Sequence, residues 1–201
     1  MKRLKKFGLS LSSQQFRLTL CDPNTELLSS LLHEFSAYEQ VEIVEGSLIH
    51  VPGDALVSPA NSFGDMGGGV DQAIDAYFHG KAQQAAQQII RDEWYGELSV
   101  GVAAIVEPIQ NKKPVMICAP TMRVPGNIQG TLNVYLAMRA LLVASARANL
   151  RHVVCPGLGT GVGGMAYDEA AHQMRAAFQM IVMEDWKQII HSAQAPFAMI
   201  A

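Results

Sequence analysis

Short apolar and β-branched runs alternate along the chain with longer stretches whose apolar residues recur every three or four positions. The first kind suits buried strands and the second amphipathic helices, so the alternation predicts an α/β domain with a largely parallel sheet. The opening unit reads as a strand over residues 16–21. A helix follows, opened by Asp22-Pro23-Asn24-Thr25 and running to about residue 37, with Leu27, Leu28, Leu31, Leu32 and Phe35 as its apolar stripe. Further strands are predicted over 41–44, 54–58, 101–107, 114–118 and 152–155. Helices are predicted over 70–94, as one or as two broken near Gly80, and over 131–149 and 166–186. The apolar stretch 195–201 fits neither pattern. With no repeat and no linker in view, the reading is one domain over 14–201 behind a basic leader at 1–13.

Four predicted strands end on the same punctuation: Cys21-Asp22-Pro23, Ser58-Pro59-Ala60-Asn61, Cys118-Ala119-Pro120 and Cys155-Pro156-Gly157. Proline cannot donate to a ladder, so each marks a strand's end. In an open α/β sheet the loops leaving the carboxyl ends of parallel strands line the ligand crevice. That rule gathers Asp22, Asn61, Asp65, Asp71, Thr121, Arg123 and Thr160 near one mouth.

Two of those loops hold nine of the 17 glycines, within residues 64–69 and 157–164. In the first, Gly67, Gly68 and Gly69 precede Val70, Asp71 and a helix. This arrangement either lets backbone N–H groups approach an anion or simply allows a tight turn, with Asp71 complementing the helix dipole. In the second, Gly157-Leu158-Gly159-Thr160-Gly161-Val162-Gly163-Gly164 follows a strand and can wrap a phosphate with main-chain donors and the Thr160 hydroxyl, without lysine. Gly159, Gly161 and Gly164 satisfy the dinucleotide-binding fingerprint, but too little chain follows for the rest of that unit. Glu184 and Asp185, about 20 residues on, fall in the final helical run as surface charges.

Charge narrows the ligand. Four of the 15 Lys and Arg lie in the first six residues, leaving 11 basic against 18 acidic residues beyond them. Such a surface argues against general nucleic-acid binding. The leader is a solvated tail or a contact for an anionic partner. No window is long and apolar enough for a membrane span, and Cys21, Cys118 and Cys155 are odd in number and far apart, which fits a reduced, cytoplasmic protein. The six histidines show no metal-ligand spacing, and no other cofactor pattern is present. Cys155 is either a nucleophile beside the second loop or a small buried residue. With no G-x-S-x-G elbow, an α/β-hydrolase reading lacks its nucleophile.

Residues 54–61, Asp-Ala-Leu-Val-Ser-Pro-Ala-Asn, the triple glycine with Val70-Asp71, and the later Gly157-Leu158-Gly159-Thr160-Gly161-Val162-Gly163 resemble the macro domain, the ADP-ribose-binding module. The resemblance spans residues 41 to about 180. It implies a three-layer α/β/α sandwich with a mixed, largely parallel central sheet, a first loop at the distal ribose and one phosphate, and a second loop around the pyrophosphate. It also implies a partner that is ADP-ribose or an ADP-ribosylated macromolecule, and no metal or other cofactor.

Carried over by position, Asn61 matches the asparagine that hydrolytic members place on the distal ribose, and Asp71, ten residues later, matches their catalytic aspartate. The ligand-binding set implied is Asp22, Ser47, Leu48, Asn61, Gly67, Gly68, Gly69, Val70, Gly157, Gly159, Thr160, Gly161, Val162 and Gly163. Hydrolysis at an anomeric carbon needs a positioned water and a stabilised oxocarbenium-like charge, which suits Asp71 as the water's orienter or base and Asn61 as the ribose anchor.

The chain also departs from the family. Gly46-Ser47-Leu48 replaces Gly-Asp-Ile, removing the usual adenine-contacting aspartate; Asp22 either substitutes or caps the helix after Pro23. Ser58 replaces the first asparagine of Asn-Ala-Ala-Asn. Gly163 stands where hydrolytic members often carry an aromatic, with Phe63 and Met66 as apolar residues able to fill that space. Arg123 either meets a phosphate or an acidic substrate or lies on the surface. The expectation is therefore an ADP-ribose-binding macro domain that hydrolyses ADP-ribosyl bonds, with a non-catalytic reader of ADP-ribose or a related nucleotide as the alternative.

Overall fold

The computed structural model describes residues 16–197. The basic leader and the last four residues lie outside that range. Six strands, β1 (Arg17–Asp22), β2 (Val41–Glu45), β3 (Ala55–Ser58), β4 (Ala104–Val106), β5 (Val115–Cys118) and β6 (His152–Cys155), form one sheet in the order β2-β1-β6-β3-β5-β4. All neighbours are parallel except β4, which runs antiparallel to β5 with Ile105 opposite Ile117. The four proline-ended strands β1, β6, β3 and β5 are thus consecutive and parallel, so their closing residues share one edge.

Side chains alternate across this sheet. Leu18, Leu20, Val57, Ile117, Val153 and Cys155 join the core under α1 (Thr25–Phe35), α4 (Asn133–Arg147) and α5 (Tyr167–Ile181). Cys21, Leu56, Met116, Cys118 and Val154 point the other way, to Ile74 of α2 (Gly69–Tyr77) and Ala82, Ala86 and Ile90 of α3 (Ala82–Trp94). This is an α/β/α sandwich with a mixed, mostly parallel sheet.

Most predicted boundaries move by a residue or two. Helices α2 and α3 are separate, parted by Gly80 at φ +77°. Two expectations are longer than the elements observed. The strand expected over 101–107 pairs only at Ala104–Val106, and the final helix stops at Ile181, after which Glu184 takes φ +63° and opens a 3-10 turn at Asp185–Gln188. Glu184 and Asp185 therefore lie beyond the helix.

Candidate functional site

The first glycine loop starts where β3 ends. Asn61 is 8% exposed and bridges in parallel to Met122, tying this loop to the one after β5. Its Oδ1 accepts the amides of Phe63 at 3.0 Å and Asp65 at 3.4 Å, an Asx-type turn. The oxygen is thereby committed to the loop, and Nδ2 is left as the group to offer a ligand. Asp65 repeats the device, Oδ1 accepting the amide of Gly67 at 3.0 Å. Helix α3 fastens the same loop: Met66 N donates to Gln83 Oε1 at 2.8 Å, and Gln83 N donates to Asp75 Oδ1 at 2.9 Å. Gly68 and Gly69 then lead into α2 with open space where side chains would stand.

Asp71 lies in the first turn of α2 and is partly buried. Ser58, the last residue of β3 and fully buried, donates its hydroxyl to Asp71 Oδ1 at 2.6 Å. Burial pushes the Asp71 carboxyl up to about 6; the Ser58 hydrogen bond opposes the rise and the nearby Asp65 charge adds to it. The group is therefore mostly ionised at pH 7, close to the range in which a carboxylate exchanges protons with substrate water.

The second loop depends on close approach. A Cβ at Gly157 would fall 2.2 Å from Leu27 Cδ2, and one at Gly163 would fall 2.5 Å from the Gly159 carbonyl oxygen. The loop is closed by Met165 N donating to Gly159 O at 3.0 Å and Ile128 N to Gly163 O at 2.8 Å. The amides of Thr160, Gly161, Val162 and Gly163 have no hydrogen bond to other described residues. A run of unpaired N–H groups in a tight turn forms an anion-binding concavity.

Between the loops lies a cavity of about 430 Å³. Among the described residues its polar side chains are Asn61, Asp65, Asp71 and Thr121, and no Lys, Arg or His lines it. A family model described as Macro domain matches residues 57–174, more than half of the chain. The chain belongs to the macro domain family.

An uncharacterized protein of Aquifex aeolicus is 34% identical to this macro domain over 134 residues, 67% of this chain and 78% of that protein. One from Aeropyrum pernix is 31% identical over 138 residues, 68% of this chain and 69% of that protein. A mutant of the Oceanobacillus iheyensis macrodomain with ADPR superposes with a TM-score of 0.61 at 23% identity, covering 69% of this chain and 76% of that one. The macrodomain of Mycobacterium tuberculosis DarG gives 0.57 at 24% identity, covering 68% and 88%. These two solved structures share its fold.

In this macro domain the cavity brings together Asn61, Gly67, Gly68, Gly69, Val70, Asp71, Gly157, Gly159, Gly161, Val162 and Gly163. Four members of the sequence-derived set lie off its lining. Leu48 is buried in the core beneath α2, Ser47 is exposed at the start of a 3-10 turn, and Thr160 is half-buried outside the lining. Asp22 has both carboxylate oxygens engaged by backbone, Oδ1 by Asn24 N at 3.0 Å and Oδ2 by Gly157 N at 3.1 Å. It does not cap α1. Asn24 does, accepting the amides of Glu26 and Leu27, because it is the residue immediately before the first turn.

Other open alternatives also resolve. Arg123 lies on the surface, bonded to Glu97 at 2.8 and 2.9 Å and stacked over Phe63. Met66 is buried in the α2–α3 core, and neither it nor Phe63 lines the cavity. Cys155 is fully buried and burial drives its thiol far up, so it is no nucleophile. Sequence reasoning missed the Ser58–Asp71 contact and the Gln83 anchor. Ser58 had a signal, its place in a departure from the family pattern; Gln83 had none.

Proposed function

We propose that this macro domain binds ADP-ribose in the cleft between its glycine loops and hydrolyses an ADP-ribosyl bond on a modified macromolecule. The observation that carries the reading is the juxtaposition, in one cavity, of unpaired loop amides at Gly161–Gly163 with the side chains of Asn61 and Asp71. Unpaired amides suit a pyrophosphate. The free Nδ2 of Asn61 suits a ribose hydroxyl, and Asp71 suits a water beside the anomeric carbon. Solved Oceanobacillus iheyensis macrodomains with ADPR and with ADP support the same ligand class.

In the reaction, the water oxygen bonds to the anomeric carbon as that carbon's bond to the target's oxygen breaks. Asp71 accepts the water proton, and the target leaves with the bonding pair. Three buried free cysteines suit a reducing cytoplasm as the setting.

Calorimetry with ADP-ribose and release of ADP-ribose from a modified protein test the two halves separately. Binding together with turnover that falls about 100-fold or more in Asp71→Asn supports the enzyme. Binding without turnover by the wild type replaces it with a reader. Absence of binding overturns both.

A further inference from the structure

Ser58 takes no part in the reaction just described, yet its hydroxyl is hydrogen-bonded to the residue that does. It closes β3, is fully buried, and its hydroxyl reaches Asp71 Oδ1 at 2.6 Å across the gap between sheet and α2. The strand fixes Ser58 on one side: its backbone oxygen accepts Ala119 N at 3.0 Å, and Val57 and Ser58 pair with Ile117 and Cys118 of β5. The helix fixes Asp71 on the other. No hydrogen bond from the described residues reaches Asp71 Oδ2, and Asp71 lines the cavity.

We infer that Ser58 is a positioning residue, occupying Oδ1 so that Asp71 presents Oδ2 to the cleft in a fixed orientation. The inference rests on the proposed role of Asp71.

The surroundings make that bond consequential. Asp71 faces Asp65 from the loop and Cys118 from β5, and among the described residues that line the cavity no cationic side chain offsets the two carboxylates. The only hydrogen-bond donor on Asp71 among the described side chains is Ser58. A hydrogen bond to the ionised form favours ionisation, so Ser58 also keeps Asp71 a carboxylate nearer neutral pH. The hydroxyl is enclosed between sheet and helix, out of reach of substrate, so it acts through Asp71 and does not itself attack.

Carboxyl-carbon NMR titration of the full chain follows Asp71 directly, with Ser58→Ala and the near-isosteric weak donor Ser58→Cys as variants and amide spectra as the check of fold. The expected result is an upward shift of the Asp71 midpoint by about one pH unit in Ser58→Ala and a smaller shift in the same direction in Ser58→Cys. The acid limb of the pH profile for ADP-ribose release moves with it. An unchanged midpoint in a folded variant overturns the inference. Wild type that binds ADP-ribose but releases none overturns the proposed hydrolysis instead, and the titration still decides what Ser58 does.

Discussion

Asp22 and Gly157 are 135 residues apart in the chain and joined by one hydrogen bond, Gly157 N donating to Asp22 Oδ2 at 3.1 Å. The bond sets where the second glycine loop leaves β6 relative to the end of β1. In Asp22→Ala the Gly157 amide loses its acceptor at Oδ2 and the Asn24 amide loses its acceptor at Oδ1. We expect a loss of about 1–2 kcal/mol in chemical denaturation and several-fold weaker ADP-ribose binding by calorimetry.

Gly163 and Gly161 separate shape from stability. A methyl at Gly163 would sit 2.5 Å from Gly159 O and 2.9 Å from Ile128 Cγ1, whereas one at Gly161 meets nothing within 4 Å. Gly163→Ala is expected to cost about 1–3 kcal/mol and to abolish ligand binding as the loop shifts. Gly161→Ala is expected to keep stability within about 0.5 kcal/mol while weakening binding, because it adds a methyl to a residue of the cavity lining. Parallel thermal melts and titrations distinguish the two.

Asp71 gives stability an unusual pH dependence. Its folded pKa, about 6, lies above the ordinary 3.8, so the folded state holds this proton more tightly than the unfolded state does. The stabilisation is full below about pH 4 and is lost as pH rises through about 6. Asp71→Asn should therefore be more stable than wild type at pH 7.5 by on the order of 1–2 kcal/mol, and the difference should vanish near pH 4. Denaturation midpoints across pH 4–8 read this directly.

At the opposite edge of the sheet, Asp54 has the reverse sign. Burial alone would raise it, but Lys113 Nζ at 2.6 Å and the amides of Arg151 and His152 at 2.8 and 3.1 Å outweigh burial and hold it below the ordinary carboxylate range. Its contribution is present above the ordinary pKa of 3.8 and disappears as pH falls through the lower folded value. Asp54→Ala should cost about 2 kcal/mol at pH 7 and less near pH 3, measured by denaturation at both.

Much of this was legible in the chain because it is written in local terms. Short apolar runs alternating with amphipathic stretches gave the α/β domain with a largely parallel sheet, the macro domain resemblance implied the three layers, and the prolines after Cys21, Ser58, Cys118 and Cys155 marked the four central parallel strands. The glycine loops announced the cleft because close approach excludes side chains. What escaped were pairings across long separations. Neither Gln83 reaching Met66 N nor Asp22 reaching Gly157 N has a local signature, since any amide or carboxylate at that spot satisfies the same backbone group. Of the two roles left open for Asp22, capping α1 falls to Asn24, the residue next to the first turn, while the Asp22 carboxylate accepts the Gly157 amide of the second loop.

The cavity has a wall of main-chain amides and, among the described residues, no lysine, arginine or histidine. Attraction from such a wall is dipolar and short-ranged, so it adds little long-range steering and should respond weakly to ionic strength. Recognition then depends on fit at contact distance, and an anion of the wrong shape gains almost nothing from its charge. If ADP-ribose is the ligand, its binding should therefore be set by the geometry of the pyrophosphate and change little between low and physiological salt.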